Sequence, residues 1–169
     1  FYSNPSDDGQ EVSVWVARFR RVYDGNDDLD LQLTVRVPHK IPTGSGDVAY
    51  GLLLGLYESR PLGNFVAVGV YDFEDRRRFV VHIHRNGSDD LEWLFTPVSV
   101  PTDLNAFRLR IFYSASRDKL NFYCAPVGST SWTKIFPGLS LKTLFNRTVP
   151  HTMRPFVAGQ ALGVKVPEG

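Results

Sequence analysis

Apolar and polar residues alternate along much of the chain with the period of two that is typical of β-strands. The clearest example is residues 30–37, DLQLTVRV, in which leucine or valine occupies every second position. Turn-forming glycine, proline, asparagine and aspartate separate this run from others of similar length. Only residues 139–148, LSLKTLFNRT, favour a helix, and they predict a single turn. The pattern therefore predicts about nine to eleven short strands and almost no helix.

Strands of this number and spacing are typical of an all-β fold made of two packed sheets. We expect an antiparallel two-sheet sandwich of the jelly-roll type. A closed lipocalin-like barrel is the alternative, but the connections are longer and less regular than a simple meander needs. Residues 49–58 and 64–73 are apolar on both faces, which predicts central strands that are covered on both sides.

The length of 169 residues fits one domain that spans residues 1–169. The segments 1–10 and 165–169 resemble linkers, so we expect flexible ends and favour a domain cut from a longer protein. Cys124 is the only cysteine, so no internal disulfide can form. A lone cysteine fits the cytosol and also fits many secreted sandwiches, and of these locations we favour an extracellular or periplasmic one.

The balance of charges argues against two classes of partner. The formal net charge is +1 at pH 7, which gives no general attraction to nucleic acid or to an anionic membrane surface. No apolar run approaches the ~18 residues that a membrane-spanning helix needs. We therefore expect neither nucleic acid nor a membrane as a partner.

Three strands predicted along residues 78–125 offer a candidate ligand face. If their apolar alternate positions face the core, their outward positions combine histidine, arginine, asparagine and aromatic side chains. Planar hydrogen-bonding groups beside aromatic rings are what a sugar ring needs. The alternative is a solvated sheet face stabilised by cross-strand pairs. The candidate residues are His82, His84, Arg108, Arg110, Asn121, Tyr123 and, as a stacking platform, Trp93.

Two short patterns suggest metal binding. His82 and His84 would point the same way on a strand, as zinc ligands do in some β-rich enzymes, but a third ligand is missing. Asp24, Asn26 and Asp28 have the spacing of the start of an EF-hand loop. The residues at the sixth and twelfth positions do not fit that loop, so the choice is between a structural calcium site and a polar turn.

Three carboxylates are the candidates for a catalytic pair: Asp72, Glu74 and Glu92. Glycosidases need two carboxyl groups, about 5 Å apart in retaining enzymes. Asp72 and Glu74 are two residues apart beside a charged turn, and Glu92 adjoins a tryptophan. None of these forms a pair by local spacing, so a hydrolase or lyase would need strands distant in sequence to join Asp72 or Glu74 to Glu92.

Three short segments carry a resemblance to a known family. Residues 108–113 read RLRIFY, residues 120–123 read LNFY, and residues 131–135 read SWTKI. Over roughly residues 45–165 the sequence resembles the concanavalin A-like lectin/glucanase superfamily, and more narrowly the accessory β-sandwich domains found beside glycoside hydrolases. The resemblance implies a jelly roll with a concave sheet that can hold carbohydrate. It also implies that a loop often binds a calcium ion and that Trp132 has a structural role as a cap on the core.

The same resemblance leaves three functions open, because this fold serves lectins, binding modules, hydrolases and purely structural domains. The glucanase motif Glu-x-Asp-x-Glu is missing. Our first hypothesis is a non-catalytic, carbohydrate-binding sandwich that uses its concave sheet. The second is a glycoside hydrolase or lyase of the same fold. The third is a structural or partner-binding sandwich, whose partner would be a neighbouring catalytic domain or a second chain.

Overall fold

Strands make up most of the computed structural model, which describes residues 2–5, 11–18, 23–36, 50–58, 64–73, 76–85, 91–99, 106–145 and 152–162. The described residues form twelve strands, one 3₁₀ turn at Ala115–Arg117 and one helix, α1, at Leu141–Phe145. The strands are β1 (Tyr2–Pro5), β2 (Glu11–Arg18), β3 (Tyr23–Asp24), β4 (Leu29–Arg36), β5 (Tyr50–Glu58), β6 (Phe65–Phe73), β7 (Arg76–His84), β8 (Leu91–Ser99), β9 (Ala106–Ser114), β10 (Lys119–Pro126), β11 (Thr133–Leu139) and β12 (Thr152–Leu162).

These strands form two antiparallel sheets. The larger sheet has the order β1-β2-β12-β5-β6-β7-β8, with β3 beside β12, and the smaller sheet has the order β11-β10-β9-β4. The predicted all-β, two-sheet antiparallel fold is confirmed. The barrel alternative is wrong, because the described strands make two separate sheets with edges of their own.

The hydrophobic core lies between the two sheets. Inward positions of β6 and β7 meet inward positions of β9 and β10, and the rings of Phe79 and Phe107 contact edge to face with centroids 5.9 Å apart. Each fully buried side chain of this size contributes about 1.5–3 kcal/mol. Period-two alternation predicted these inward positions correctly: Phe79, Val81, Ile83, Leu109, Ile111, Tyr113, Leu120 and Phe122 are all buried in the core.

The apolar segments 49–58 and 64–73 contain β5 and β6, two central strands of the larger sheet. β5 lies between β12 and β6, and β6 lies between β5 and β7. On the face of β6 and β7 that points away from the core, Ala67 and Val80 have no exposed surface. Both faces of β6 and β7 are therefore covered at these positions, which explains why residues 64–73 do not alternate. The side chains of residues 49–58 lie outside the described part of the structure, so the cover on both of their faces stays a prediction.

Helix α1 closes one end of the core and is held by the turn that precedes β10. Asp118 adopts a left-handed conformation with a φ of 46°, and its carboxylate accepts hydrogen bonds from the Leu141 N–H at 3.2 Å and the Lys142 N–H at 3.4 Å. The guanidinium of Arg85 donates to the carbonyl of Leu144 at 3.1 Å. The predicted single helical turn within residues 139–148 is confirmed for Leu141–Phe145.

The ends of the chain are described only in part. Within the segment 1–10, residues 2–5 form β1 and pair with β2. The rest of that segment and residues 165–169 lie outside the described residues, so their flexibility stays a prediction. Helix α1 has five residues, and none of the described helices has the length and hydrophobicity of a membrane span.

Candidate functional site

The candidate residues lie on two different sheets. His82 and His84 on β7 and Trp93 on β8 belong to the larger sheet, whereas the other four residues belong to β9 and β10 of the smaller sheet. The prediction of one face shared by three strands is therefore wrong. Parity along a strand fixes the face within one sheet, but the chain passes from the larger to the smaller sheet between β8 and β9.

His82 lies on the face of β7 opposite the core, but it has no exposed surface. Its register partners are Ala67 on β6 and Trp93 on β8, and the side chain of Trp93 lies outside the described part of the structure. Burial lowers the pKa of His82 to about 3, so the ring is neutral at physiological pH. In this position His82 is a buried neutral ring and offers no contact to a ligand in solution.

His84 is partly exposed and stacks on an aromatic ring. The rings of His84 and Phe65 are nearly parallel, with centroids 5.3 Å apart, and Phe65 meets Phe156 edge to face at 5.8 Å. The two histidines thus occupy different environments on one strand. Among the described residues no group of three or more His, Cys, Asp or Glu side chains could hold a metal ion.

Arg108, Arg110, Asn121 and Tyr123 do share a face, the outer face of the smaller sheet. In the antiparallel register Arg110 lies opposite Tyr123, and Phe112 lies opposite Asn121. All are partly exposed, while the intervening residues of β9 and β10 point into the core. This group of four is the part of the predicted ligand face that the fold brings together.

Arg110 organises this outer face. Its guanidinium binds both carboxylate oxygens of Asp30 on β4, at 2.7 and 2.8 Å. The same guanidinium lies 5.3 Å from the ring centre of Phe112, 5.7 Å from that of Tyr123 and 5.5 Å from that of Trp132. The hydrogen bonds with Asp30 are the main cause that raises the pKa of Arg110. A fixed cation therefore sits among three aromatic rings.

Trp132 belongs to this outer face and not to the core. It is partly exposed, and the guanidinium of Arg108 lies 4.5 Å from its ring centre. Arg108 also donates a hydrogen bond to the carbonyl of Ser129. The expected role of Trp132 as a cap on the core is wrong, because β10 ends at Pro126 and the following turn folds Trp132 back over the arginines.

An open groove of about 720 Å³ lies beside this cluster. Its lining combines two aromatic rings, hydroxyl and amide groups and three basic side chains, and it contains no carboxylate. The lining residues are Phe112, Ser114, Ser116, Arg117, Lys119, Asn121, Tyr123, Lys134 and Gly138. We call this feature the smaller-sheet groove.

Sequence reasoning found only two residues of the smaller-sheet groove, Asn121 and Tyr123. Phe112 and Lys119 occupy alternate positions of β9 and β10 that point to the same face as these two. Their place on this face could therefore be predicted from the sequence. Lys134 gave no such signal, because irregularities in the pairing of β10 with β11 shift its register.

The calcium candidate has the geometry of a hydrogen-bonded turn. One oxygen of Asp24 accepts from the backbone and side-chain nitrogens of Asn26 at 3.0 and 2.9 Å. Asp28 accepts from the N–H of Ala115 at 2.7 Å. These bonds engage two of the oxygens that a cation would need, and a structural calcium here stays a prediction.

Of the three candidate catalytic carboxylates, the structure describes the side chain of Glu92 alone. Glu92 forms an ion pair with Arg85 at 2.5 Å, and both side chains are about half exposed. Asp72 lies on β6 in register with Tyr50 and Arg77, but its side chain lies outside the described part, as does all of Glu74. A catalytic pair built from these residues stays a prediction.

Solved structures of similar fold include plant lectins and a phage module. The basic winged bean lectin with Tn-antigen is 12% identical, and the match covers 95% of this chain and 86% of the lectin at a TM-score of 0.51. Lectin I from Ulex europaeus, in complex with the methyl glycoside of α-L-fucose, gives the same four figures. The CBM2 module of an evolved Dit of Lactobacillus casei BL23 phage J-1 is 9% identical, with 99% of this chain and 69% of the module covered at a TM-score of 0.51.

These likenesses concern the fold alone, since the identities are low. No family model matches the sequence, and no curated protein matches it either. The fold shared with the legume lectins confirms the predicted concanavalin A-like sandwich.

Proposed function

We propose that the protein is a non-catalytic carbohydrate-binding β-sandwich domain and that the smaller-sheet groove holds the sugar. The observation that carries this proposal is the pairing of Phe112 with Asn121 and of Arg110 with Tyr123 on one accessible face. Aromatic rings can stack on the C–H faces of a pyranose, while amide, hydroxyl and ammonium groups bond its hydroxyls.

The similar structures support the choice of ligand class. The winged bean lectin is described with Tn-antigen, and the Ulex europaeus lectin is described with a fucose glycoside. The site proposed for the present chain rests on its own groove residues. The hydrolase and partner-binding alternatives have no specific observation in their favour among the described residues.

Glycan-array screening followed by calorimetry tests the proposal. We expect binding to at least one saccharide, weakened about tenfold or more by Asn121→Ala and by Tyr123→Ala. Thr34→Ala is the matched control, because Thr34 is exposed on the same sheet but does not line the groove. Silence across a broad panel, or binding that both groove variants leave unchanged, would overturn the proposal.

A further inference from the structure

The basic side chains of the smaller-sheet groove are not neutralised within it. Arg117, Lys119 and Lys134 are exposed, and no described residue forms an ion pair with any of them. The groove lining contains no aspartate or glutamate. This is a local excess of positive charge in a protein whose net charge is only +1.

Asp30 and Asp118, two carboxylates of the same sheet and its turn, have hydrogen-bond partners outside the groove lining. Asp30 gives both oxygens to Arg110. Asp118 accepts hydrogen bonds from Ser140 and from the backbone nitrogens of Leu141 and Lys142. Neither carboxylate lines the groove, so the three basic side chains have no carboxylate beside them within its lining.

The positive charges flank the groups that suit a sugar ring. Lys119, Asn121 and Tyr123 share one face of β10, and Lys134 lies opposite Tyr123 in register. The distance along the strand from Lys119 to Tyr123 is about 13 Å, because each residue advances the chain by about 3.3 Å. Basic groups thus lie near both ends of a surface formed by an amide and an aromatic ring.

Gly138 keeps the middle of this surface open. A Cβ atom at this position would lie 2.9 Å from the Oδ1 atom of Asn121 and 3.4 Å from the side chain of Lys119. The only close contact is the end of a flexible side chain, so an alanine there fills the groove without displacing backbone.

We infer that the smaller-sheet groove binds an anionic saccharide, one that carries carboxylate or sulfate groups, in preference to a neutral one. The inference rests on the proposed carbohydrate-binding function and names its ligand class. Lysine ammonium groups are compact charges that pair with either anion, so uronate and sulfated sugars share the chemistry that the groove recognises.

Calorimetry with three probes tests the inference: tetragalacturonate, its fully methyl-esterified form and a sulfated tetrasaccharide. We expect at least one anionic probe to bind about tenfold or more tightly than the neutral ester, with an affinity that falls as salt rises. The relative affinities of the two anionic probes distinguish carboxylate from sulfate recognition. Lys119→Gln, Lys134→Gln and Gly138→Ala should each weaken binding of the anionic probe.

Lys142→Gln is the matched control, since Lys142 is exposed on α1 and does not line the groove. If neither anionic probe bound more tightly than the neutral ester, the charge preference would be overturned and the proposed function would stand. Failure of every saccharide, neutral ones included, would remove the proposed function itself. A single-stranded oligonucleotide that binds as tightly as the saccharides, through the same lysines, would overturn the saccharide class.

Discussion

At the residue scale, His82 shows why an isolated pattern is a poor guide to function. Two histidines separated by one residue suggested a metal pair, yet one is fully buried and the other stacks on Phe65. Burial of the protonated imidazole costs far more free energy than burial of the neutral ring. The consequence is a pH dependence of stability and not a ligand site.

The expected pH dependence of His82 has a definite sign. The pKa of His82 falls from its ordinary value of 6.5 to about 3 in the folded protein, so below pH 6.5 the unfolded chain takes up a proton that the folded chain does not. His82 should therefore lower the free energy of unfolding by up to about 1.4 kcal/mol per pH unit as the pH falls from 6.5 towards 3. Urea titrations between pH 7.5 and 5.5 measure this slope before most carboxylates protonate.

His82→Gln should flatten that slope, because it removes the group whose protonation differs between the folded and unfolded chains. If the His82 variant fails to fold, NMR of the native protein provides a second test. The ring C–H signals of His82 should not move between pH 7.5 and 5. A His82 that titrates near pH 6.5 in the folded protein would show that the burial argument is wrong.

At the element scale, helix α1 depends on a residue distant in sequence. It has only five residues, too few to be stable on its own. The carboxylate of Asp118 accepts from the first N–H groups of the helix, and the hydroxyl of Ser140 accepts from the N–H of Thr143 at 3.1 Å. The helix start is therefore held from the turn between β9 and β10.

Removing the carboxylate of Asp118 should destabilise the fold measurably. We expect Asp118→Ala to lower the free energy of unfolding by about 1–2 kcal/mol, because it removes a cap and puts a Cβ-bearing residue without a polar group into a left-handed conformation. Asp118→Asn should cost less, since asparagine tolerates that conformation and keeps one acceptor. Urea unfolding gives both values, with Asp27→Ala as an exposed control. Equal stability of the Ala variant and the native protein would contradict the capping role.

The sequence predicted the inward faces of β7, β9 and β10 but not the assembly of strands into sheets. Alternation along β7, β9 and β10 is a local property, so the buried positions from Phe79 to Phe122 could be identified without a structure. The sheet to which each strand belongs depends on pairing between distant segments, which no local pattern records. Alternation alone therefore places His84 and Arg110 on one face, although β7 and β9 lie in different sheets.

Two residues of the outer face could not be predicted because they lie in a loop or on an irregularly paired strand. Trp132 lies in a loop, so strand parity gave no prediction for it, and its contact with Arg108 follows from the turn at Pro126–Ser129. Lys134 lies on a strand whose register with β10 is shifted twice. The positions of Trp132 beside Arg108 and of Lys134 in the groove therefore follow only from the folded chain.

At the scale of the whole molecule, the smaller sheet has one face packed in the core and one outer face that carries the proposed binding groove. Phe107, fully buried, packs against Phe79 of the opposite sheet and so joins the two layers of the sandwich. Phe112 lies on the same strand with the opposite parity, partly exposed in the groove lining. Because one strand carries both, the rigidity of the core positions the outer side chains.

This division predicts opposite effects for two identical substitutions on β9. Phe107→Ala should lower the free energy of unfolding by about 3–5 kcal/mol, because it leaves a cavity at the contact between the sheets. Phe112→Ala should cost far less stability, yet it should weaken binding of the saccharide found by screening about tenfold or more, because it removes a ring from the groove. Urea unfolding and calorimetry on both variants separate the two effects. If Phe112→Ala destabilised the fold as much as Phe107→Ala and left binding unchanged, the outer face would have a structural role. The smaller-sheet groove would then not be the binding site.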